Sequence, residues 1–253
     1  MRPGGEETPA LLLQGVGRRF GALAAVSDVS LAVARGERRA VLGPNGAGKT
    51  TLFNLICGDF PPTAGRVLLF GEDITALRPH HRARRGVGRT YQTSLLFNGL
   101  SVRDNLLVAL RGARPGRFSW RLPPTADRAA AQLLAERVRI AALLDTPVAA
   151  LSHGQRRQLE VGMALACEPR LLMLDEPAAG LSPVERPELV ALLRSLPRDL
   201  TLIVIEHDMD IALPIADLVT VMKDGQVVVE GPPDRIESDP MVQAIYLGHG
   251  RSH

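Results

Sequence analysis

Aromatic residues make up only 4% of the chain, with a single tryptophan, and cysteine occurs twice in 253 residues. The first scarcity argues against a nucleic-acid binder built on base stacking, the second against a disulfide scaffold. Cys57 and Cys167 read as free, buried thiols of a reducing compartment. No run approaches 18 consecutive apolar residues, and the first 19 residues hold only the short apolar patch Ala10–Leu13. The sequence therefore predicts neither a membrane span nor a signal peptide, and a cytoplasmic protein. Lysine is also scarce: of 30 basic residues only Lys49 and Lys223 are not arginine. The formal charge of +3 and the isoelectric point of about 9.3 thus rest on arginine, a bias that with the abundant alanine reads as GC-rich coding rather than contacts to a polyanion. The densest basic stretch, Arg78 to Arg89 with Arg82, Arg84 and Arg85, reads as a solvated helix face. What is present is an ordinary globular mixture, 45% apolar and 23% charged, long enough to bury a real core.

Short apolar runs alternate with longer stretches of helical period, the pattern of an α/β domain with a largely parallel sheet. Arg39–Leu42, Leu171–Leu174 and Leu202–Ile205 are the buried-strand candidates. Each stops abruptly, at Gly43, at Asp175-Glu176 and at Glu206-His207, and in open α/β sheets ligands sit beyond such carboxyl ends. From Thr93 to Ala150 the character turns helical. Ser101 and Asp104 form a capping pattern ahead of Leu106, Leu107 and Leu110, Ala126 to Leu144 favours helix throughout, and Gly112 to Thr125, with Trp120 inside it, reads as a loop. Lys223-Asp224-Gly225 between two apolar runs is a hairpin signal, and a last helix is expected near Pro240 to Leu247.

The chemistry begins at Gly43-Pro44-Asn45-Gly46-Ala47-Gly48-Lys49-Thr50, a complete G-x-x-x-x-G-K-[ST] loop between a strand and the helix-like Thr51–Cys57 that Gly58 can end. Glycines let successive N–H groups turn inward around a phosphate at a helix N-terminus. Lys49 supplies charge to the β- and γ-phosphates and Thr50 a hydroxyl to Mg²⁺. Leu171–Glu176 is the second part: a strand delivers Asp175 toward Mg²⁺, and Glu176 can orient and deprotonate an attacking water. Taken alone, an Asp-Glu pair after a strand reads equally as a helix cap.

Leu151-Ser152-His153-Gly154-Gln155 opens a third stretch, a helix with Leu159, Met163 and Ala166 on one face. Here the chain resembles the ATP-binding-cassette family, whose signature is Leu-Ser-Gly-Gly-Gln. The departure is His153, read as a surface substitution. The resemblance implies a P-loop NTPase core of the RecA type, with a parallel sheet, an antiparallel β subdomain and an inserted helical subdomain. It implies that Ser152, His153, Gly154 and Gln155 face the γ-phosphate of ATP held by another subunit. It also implies adenine stacking on Phe20, which alone reads as a core residue, ATP contact through Thr51, Mg²⁺ and water contact by Gln92, and γ-phosphate contact by His207. Ser182, in Ala179-Gly180-Leu181-Ser182, stands where the family usually has Asp. Ser182-Pro183-x-Glu185 reads equally as a helix N-cap, N1 and N3.

The resemblance runs from Leu11 to Gly248. Phe20–Val26, Gly86–Gln92, Leu96–Leu107, Leu174–Leu181 and Tyr246-Leu247-Gly248 resemble the ATPase subunits of branched-chain amino-acid importers. Leu151–Gln155 and Ile205–Asp210 also resemble the urea and short-amide branch, and the lipopolysaccharide export ATPase shares the Tyr-Leu-Gly ending. One cassette is then expected over 1–253, with 10–92 and 151–230 as the core with its β subdomain, 93–150 as the helical insert and 231–253 as a helical tail. The implied partners are a second nucleotide-binding subunit, transmembrane permeases and, indirectly, a periplasmic solute-binding protein. The implied place is peripheral, on the cytoplasmic face of the inner membrane. Nucleic acid is not an expected partner, since the sequence shows neither a long coiled-coil insertion nor a second fused cassette.

Overall fold

The computed structural model describes residues 8–90, 95–113 and 124–247. Two sheets lie against each other. The first is antiparallel, with order β2-β1-β4-β5, from β1 (Leu11–Phe20), β2 (Leu23–Val33), β4 (Ala64–Leu69) and β5 (Glu72–Asp73). The second, of order β10-β9-β3-β8-β7-β6, holds β3 (Arg38–Leu42), β6 (Val87–Arg89), β7 (Leu171–Asp175), β8 (Thr201–Ile205), β9 (Leu218–Lys223) and β10 (Gln226–Gly231). All its pairings are parallel except the β9–β10 hairpin. This is the expected α/β architecture, with the antiparallel sheet beside it.

The three strands expected from sequence are buried along their whole length, as strands covered on both faces must be. Their side chains divide with period two. Leu171, Met173, Ile203 and Ile205 face the antiparallel sheet and α1 (Lys49–Cys57), while Leu172, Leu174, Leu202 and Val204 face the helices of the other layer. Because β3, β8 and β7 are adjacent and parallel, their carboxyl ends release Gly43, Glu206 and Glu176 along one edge.

Two expectations need correction. The stretch read as a solvated basic face contains α2 (Pro79–Ala83), and Arg82 within it is 1% exposed. Its guanidinium donates to the carbonyls of Leu55 (2.6 Å), Ile56 (2.7 Å), Thr75 (3.0 Å) and Leu77 (2.9 Å), so it satisfies orphan carbonyls in the last turn of α1. Arg38, at the start of β3, does the same for the carbonyls of Arg194 and Leu196 at the end of α6 (Glu185–Ser195). These arginines are structural, which coding bias alone does not explain. Second, the helical stretch from Ala126 to Leu144 is interrupted. After α3 (Val102–Ala113), α4 (Pro124–Arg137) gives way at Arg139, whose φ of 63° turns the chain so that Ile140 enters the core; a 3₁₀ turn at Ala141–Leu143 follows, and Leu144 after it is buried too. The ends of the expected 112–125 loop belong to α3 and α4, and Trp120 lies outside the described residues.

The remaining helices are α5 (His153–Leu165), α7 (Met209–Ile215), α8 (Pro233–Ser238) and α9 (Pro240–Leu247). The buried side of α5 is wider than expected, with Leu159, Val161, Gly162, Ala164 and Leu165 inside and Met163 only partly covered. The last two helices pack Ile236, Val242 and Ile245 against Ala40 and Leu42 of β3 and Val219 and Val221 of β9. Both cysteines are free; Cys57 is buried and Cys167 half-buried.

Candidate active site

The loop after β3 is shaped by what presses on it. A side chain at Gly43 would put its Cβ 2.3 Å from the Met222 carbonyl, and one at Gly48, where φ is 95°, would come within 2.5 Å of the Ala25 carbonyl. At Gly46, with φ of 83°, a Cβ would meet open space, so this missing side chain leaves room for a ligand against the backbone. Gly48 caps α1 without a side-chain acceptor and the first turn carries no acidic residue, so the helix N-terminus keeps its N–H groups free for an anion. Asn45, Gly46, Ala47, Gly48, Lys49, Thr50 and Thr51 line a cleft of about 440 Å³ that Glu176 also lines. Lys49 is 5% exposed, and its Nζ donates to the carbonyls of Gly43 (2.6 Å) and Pro44 (3.0 Å). Burial lowers its pKa, while the carboxylates of Glu176, Asp175 and Glu206 pull it back up.

The far wall of the cleft was not foreseen in the sequence. The β9–β10 turn is the expected hairpin, with Asp224 at φ 50° and Gly225 at φ 79°, both left-handed as a two-residue turn between these strands requires. It also abuts the phosphate loop: Gly225 N–H donates to the Ala47 carbonyl at 3.0 Å. Sequence gives a hairpin no address, so only tertiary structure could reveal this contact.

At the end of β7, Asp175 is 2% exposed and Glu176 takes φ 46°, a left-handed conformation that costs a non-glycine residue energy and gathers at functional sites. Glu176 N–H is held by the Ile205 carbonyl of β8 at 2.8 Å, and its carboxylate lies 3.6 Å from Nδ1 of the exposed His207. Behind them Glu206 is buried. One of its oxygens accepts the Ala178 N–H at 2.9 Å and the other stands 3.9 Å from His207 Nδ1. Burial raises the Glu206 pKa. Arg157, from α5, donates to the Glu176 carbonyl at 2.9 Å and pairs with Glu160 at 2.7 Å. That tie from the Ser152 helix to the carboxylate turn spans 19 residues and has no local mark in the sequence.

The Ser152 turn stands apart, and none of residues 152–155 lines the cleft. Ser152 is the N-cap of α5 in a complete capping box: its Oγ accepts the Gln155 N–H (3.2 Å) while Gln155 Oε1 accepts the Ser152 N–H (3.0 Å). Ser152 O–H and Gly154 N–H both donate to one oxygen of Glu185, at 2.9 and 2.8 Å. The other Glu185 oxygen accepts the Ser182 N–H (3.0 Å) and O–H (2.9 Å). Ser182 and Glu185 therefore do meet, but the helix α6 begins only at Glu185 with Val184 as its N-cap, so Ser182 is not the N-cap expected from sequence. These four bonds hold the Glu185 pKa down to about 2. His153 is exposed. Phe20 is not core: it is 44% exposed, edge-on to Phe60 with ring centroids 5.4 Å apart, and the Arg18 guanidinium lies 4.7 Å from its ring centre. Gln92 and Tyr91 lie outside the described residues.

The donors suit a magnesium ion. Thr50 and Asp175 offer one hydroxyl and one carboxylate, and among the described residues no group of three or more His, Cys, Asp or Glu could hold a metal by itself. Mg²⁺ is typically held in this way, by few protein oxygens together with substrate phosphates.

The family model described as ABC transporter matches residues 26–179. The chain is 39% identical over 250 residues to the high-affinity branched-chain amino acid transport ATP-binding protein BraF of Pseudomonas aeruginosa, covering 95% of this chain and 98% of the relative. It is 39% identical over 224 residues to the lipopolysaccharide export system ATP-binding protein LptB of Acidithiobacillus ferridurans, covering 88% and 90%. Among solved structures, the ADP conformation of MJ1267, an ATP-binding cassette of an ABC transporter, superposes with a TM-score of 0.82 at 30% identity, over 95% of this chain and 99% of that one. Likeness from end to end, joined to a glycine-rich loop after β3 and a carboxylate turn after β7, strands that flank β8, makes this chain a member of the ABC transporter family, an ATP-hydrolysing nucleotide-binding subunit.

Proposed function

We propose that the chain binds MgATP above Lys49, closes head to tail on a second nucleotide-binding subunit, and drives solute import through membrane permeases, with branched-chain amino acids as the solute class. The observation that carries the catalytic part is the adjacency of β3, β8 and β7, which brings Lys49, His207 and Glu176 to one edge. In this reading Lys49 exchanges its two loop carbonyls for phosphate oxygens, and Gly43 to Thr51 supply the backbone cradle. Glu176 takes the proton of the attacking water, and His207 steadies the γ-phosphate. Mg²⁺, held by Thr50, Asp175 and Gln92, would offset the phosphate charge. Phe20 stacks on adenine, and Ser152 to Gln155 serve the partner's ATP. Residues 10–92 and 151–230 form the hydrolysing core, 93–150 the helical unit facing the permease and 231–253 a helical tail. Among the described residues no helix is long and apolar enough to cross a membrane, which agrees with a subunit that works beside permeases.

The test is light scattering after size-exclusion chromatography of Glu176→Gln. The amide cannot accept the water's proton, so hydrolysis falls by about 10²–10⁴ while ATP stays bound. The variant should become a dimer with ATP and remain a monomer without it; a monomer in both conditions would sink the head-to-tail reading. The solute assignment is supported by the near-complete coverage of BraF. The match to LptB supports a second reading, lipid export. Uptake of labelled leucine by cells lacking the gene decides: lost uptake supports import of branched-chain amino acids, whereas normal uptake with altered outer-membrane lipid supports export.

A further inference from the structure

The N-terminus of α5 already holds an anionic oxygen. Glu185 reaches back across 33 residues of sequence and takes both the Ser152 hydroxyl and the Gly154 amide on one carboxylate oxygen, at 2.9 and 2.8 Å. These are the two donors assigned above to a partner's γ-phosphate, and the inference below rests on that assignment. Each has a single hydrogen to give. A phosphoryl oxygen bonded to both would have to occupy the point where the Glu185 oxygen now lies, and two negatively charged oxygens repel at that distance.

From this geometry we infer that Glu185 is an internal stand-in for the phosphoryl oxygen: it keeps the Ser152 turn filled in the free subunit, must withdraw before two subunits close on ATP, and so raises the ATP concentration at which they associate.

The other half of the carboxylate explains how it can withdraw without being lost. Its second oxygen is held by the Ser182 N–H and O–H, so an anchor remains when the first oxygen lets go. Ser182 stands where the resembled family usually carries Asp. A serine hydroxyl donates to Glu185, whereas an aspartate would repel it, so this departure fits a chain that keeps a carboxylate here. Gly154 fits as well, because a Cβ there would lie 2.9 Å from the Glu185 oxygen. The four donors on Glu185 favour its carboxylate form, so at neutral pH the competition is one between anions.

The experiment measures, in the Glu176→Gln background, the ATP concentration at which half the protein is dimeric. Glu185→Ala and Glu185→Gln are each added to that background, and Ser152→Arg serves as a control. The glutamine variant keeps a carbonyl for the Ser182 N–H but has no second acceptor for Ser152 and Gly154, and it decides the matter if the alanine variant does not fold. Loss of the stand-in lowers the midpoint several-fold. If Glu185 only caps α6, both variants melt earlier and the midpoint rises; a raised or unchanged midpoint therefore overturns the proposal while leaving the head-to-tail site intact. If Glu176→Gln does not dimerise, or Ser152→Arg fails to block dimerisation, the site across the interface is wrong and the proposal falls with it.

Discussion

A buried ammonium needs acceptors, and Lys49 takes them from the loop it belongs to, two carbonyls that it would exchange for phosphate oxygens in the proposed complex. Lys49→Ala should therefore leave the fold standing but remove the compensating charge for bound phosphate. Calorimetry should detect no ATP binding, and the rise in stability that the parent gains from ATP at 100 times its Kd, about 2.7 kcal/mol, should vanish. Unchanged affinity would contradict the cleft assignment. Glu206 lends itself to a pH experiment. Its folded pKa is raised by burial from 4.5, so the native state holds more protons than the unfolded chain above pH 4.5, and stability is lost as pH rises through the raised value. Glu206→Gln keeps an acceptor for the Ala178 N–H without the buried charge. Its gain in melting temperature over the parent, measured by calorimetry without nucleotide, should be small near pH 4.5 and grow toward neutrality. A gain that does not change with pH would mean that the carboxylate titrates alike in both states.

Helix α1 carries the phosphate loop at one end and depends on Arg82 at the other. Arg82→Ala strips the Leu55 and Ile56 carbonyls of a charged donor and leaves a void; it should cost roughly 3 kcal/mol in urea unfolding, and Arg82→Lys should not restore it, because an ammonium lacks the reach of the guanidinium fork. Nothing local in the sequence announces this role, since the carbonyls lie more than 25 residues upstream and the surrounding arginines look like a solvated run. By contrast β3, β7 and β8 were legible. Strands buried on both faces leave short apolar runs, and the polar residues that end them come together along one edge of the sheet. The antiparallel sheet was legible only through family resemblance, because register shifts between Leu13 and Val16 and again near Arg18 break the alternation of β1. Helix α4 was overrun for a related reason: helix-favouring residues continue to Leu144, but tertiary packing of Ile140 outweighs propensity at Arg139. The sequence marks the Ser182–Glu185 contact, though α6 takes Val184 rather than Ser182 as its N-cap, yet the grip of Glu185 on Ser152 belongs to the folding of two distant segments and has no local mark.

At the scale of the whole molecule, the segment that follows the undescribed stretch around Gln92 exposes Leu95, Phe97 and Leu100 at 57%, 49% and 39%, while Leu96 between them is buried. The buried Asn105 side chain pins this strip to α3, accepting the Phe97 N–H at 2.8 Å and donating to its carbonyl at 3.2 Å. An apolar strip held rigidly at the surface suits a protein partner. Phe97→Ala with Leu100→Ala should abolish uptake in vesicles reconstituted with the permeases while hydrolysis in solution persists, whereas retained uptake would move the contact elsewhere. The same long-range connectivity has a consequence for how the protein is made. Strand β3 lies between β8 and β9, and the turn that braces its loop is Asp224-Gly225. On a ribosome adding about 5–20 residues per second, β3 emerges early but has no partner strand on either side until residues 201–223 have been translated. The nascent protein thus carries β3 as an unpaired strand until those residues are made, and the loop after it gains its Gly225 brace only then.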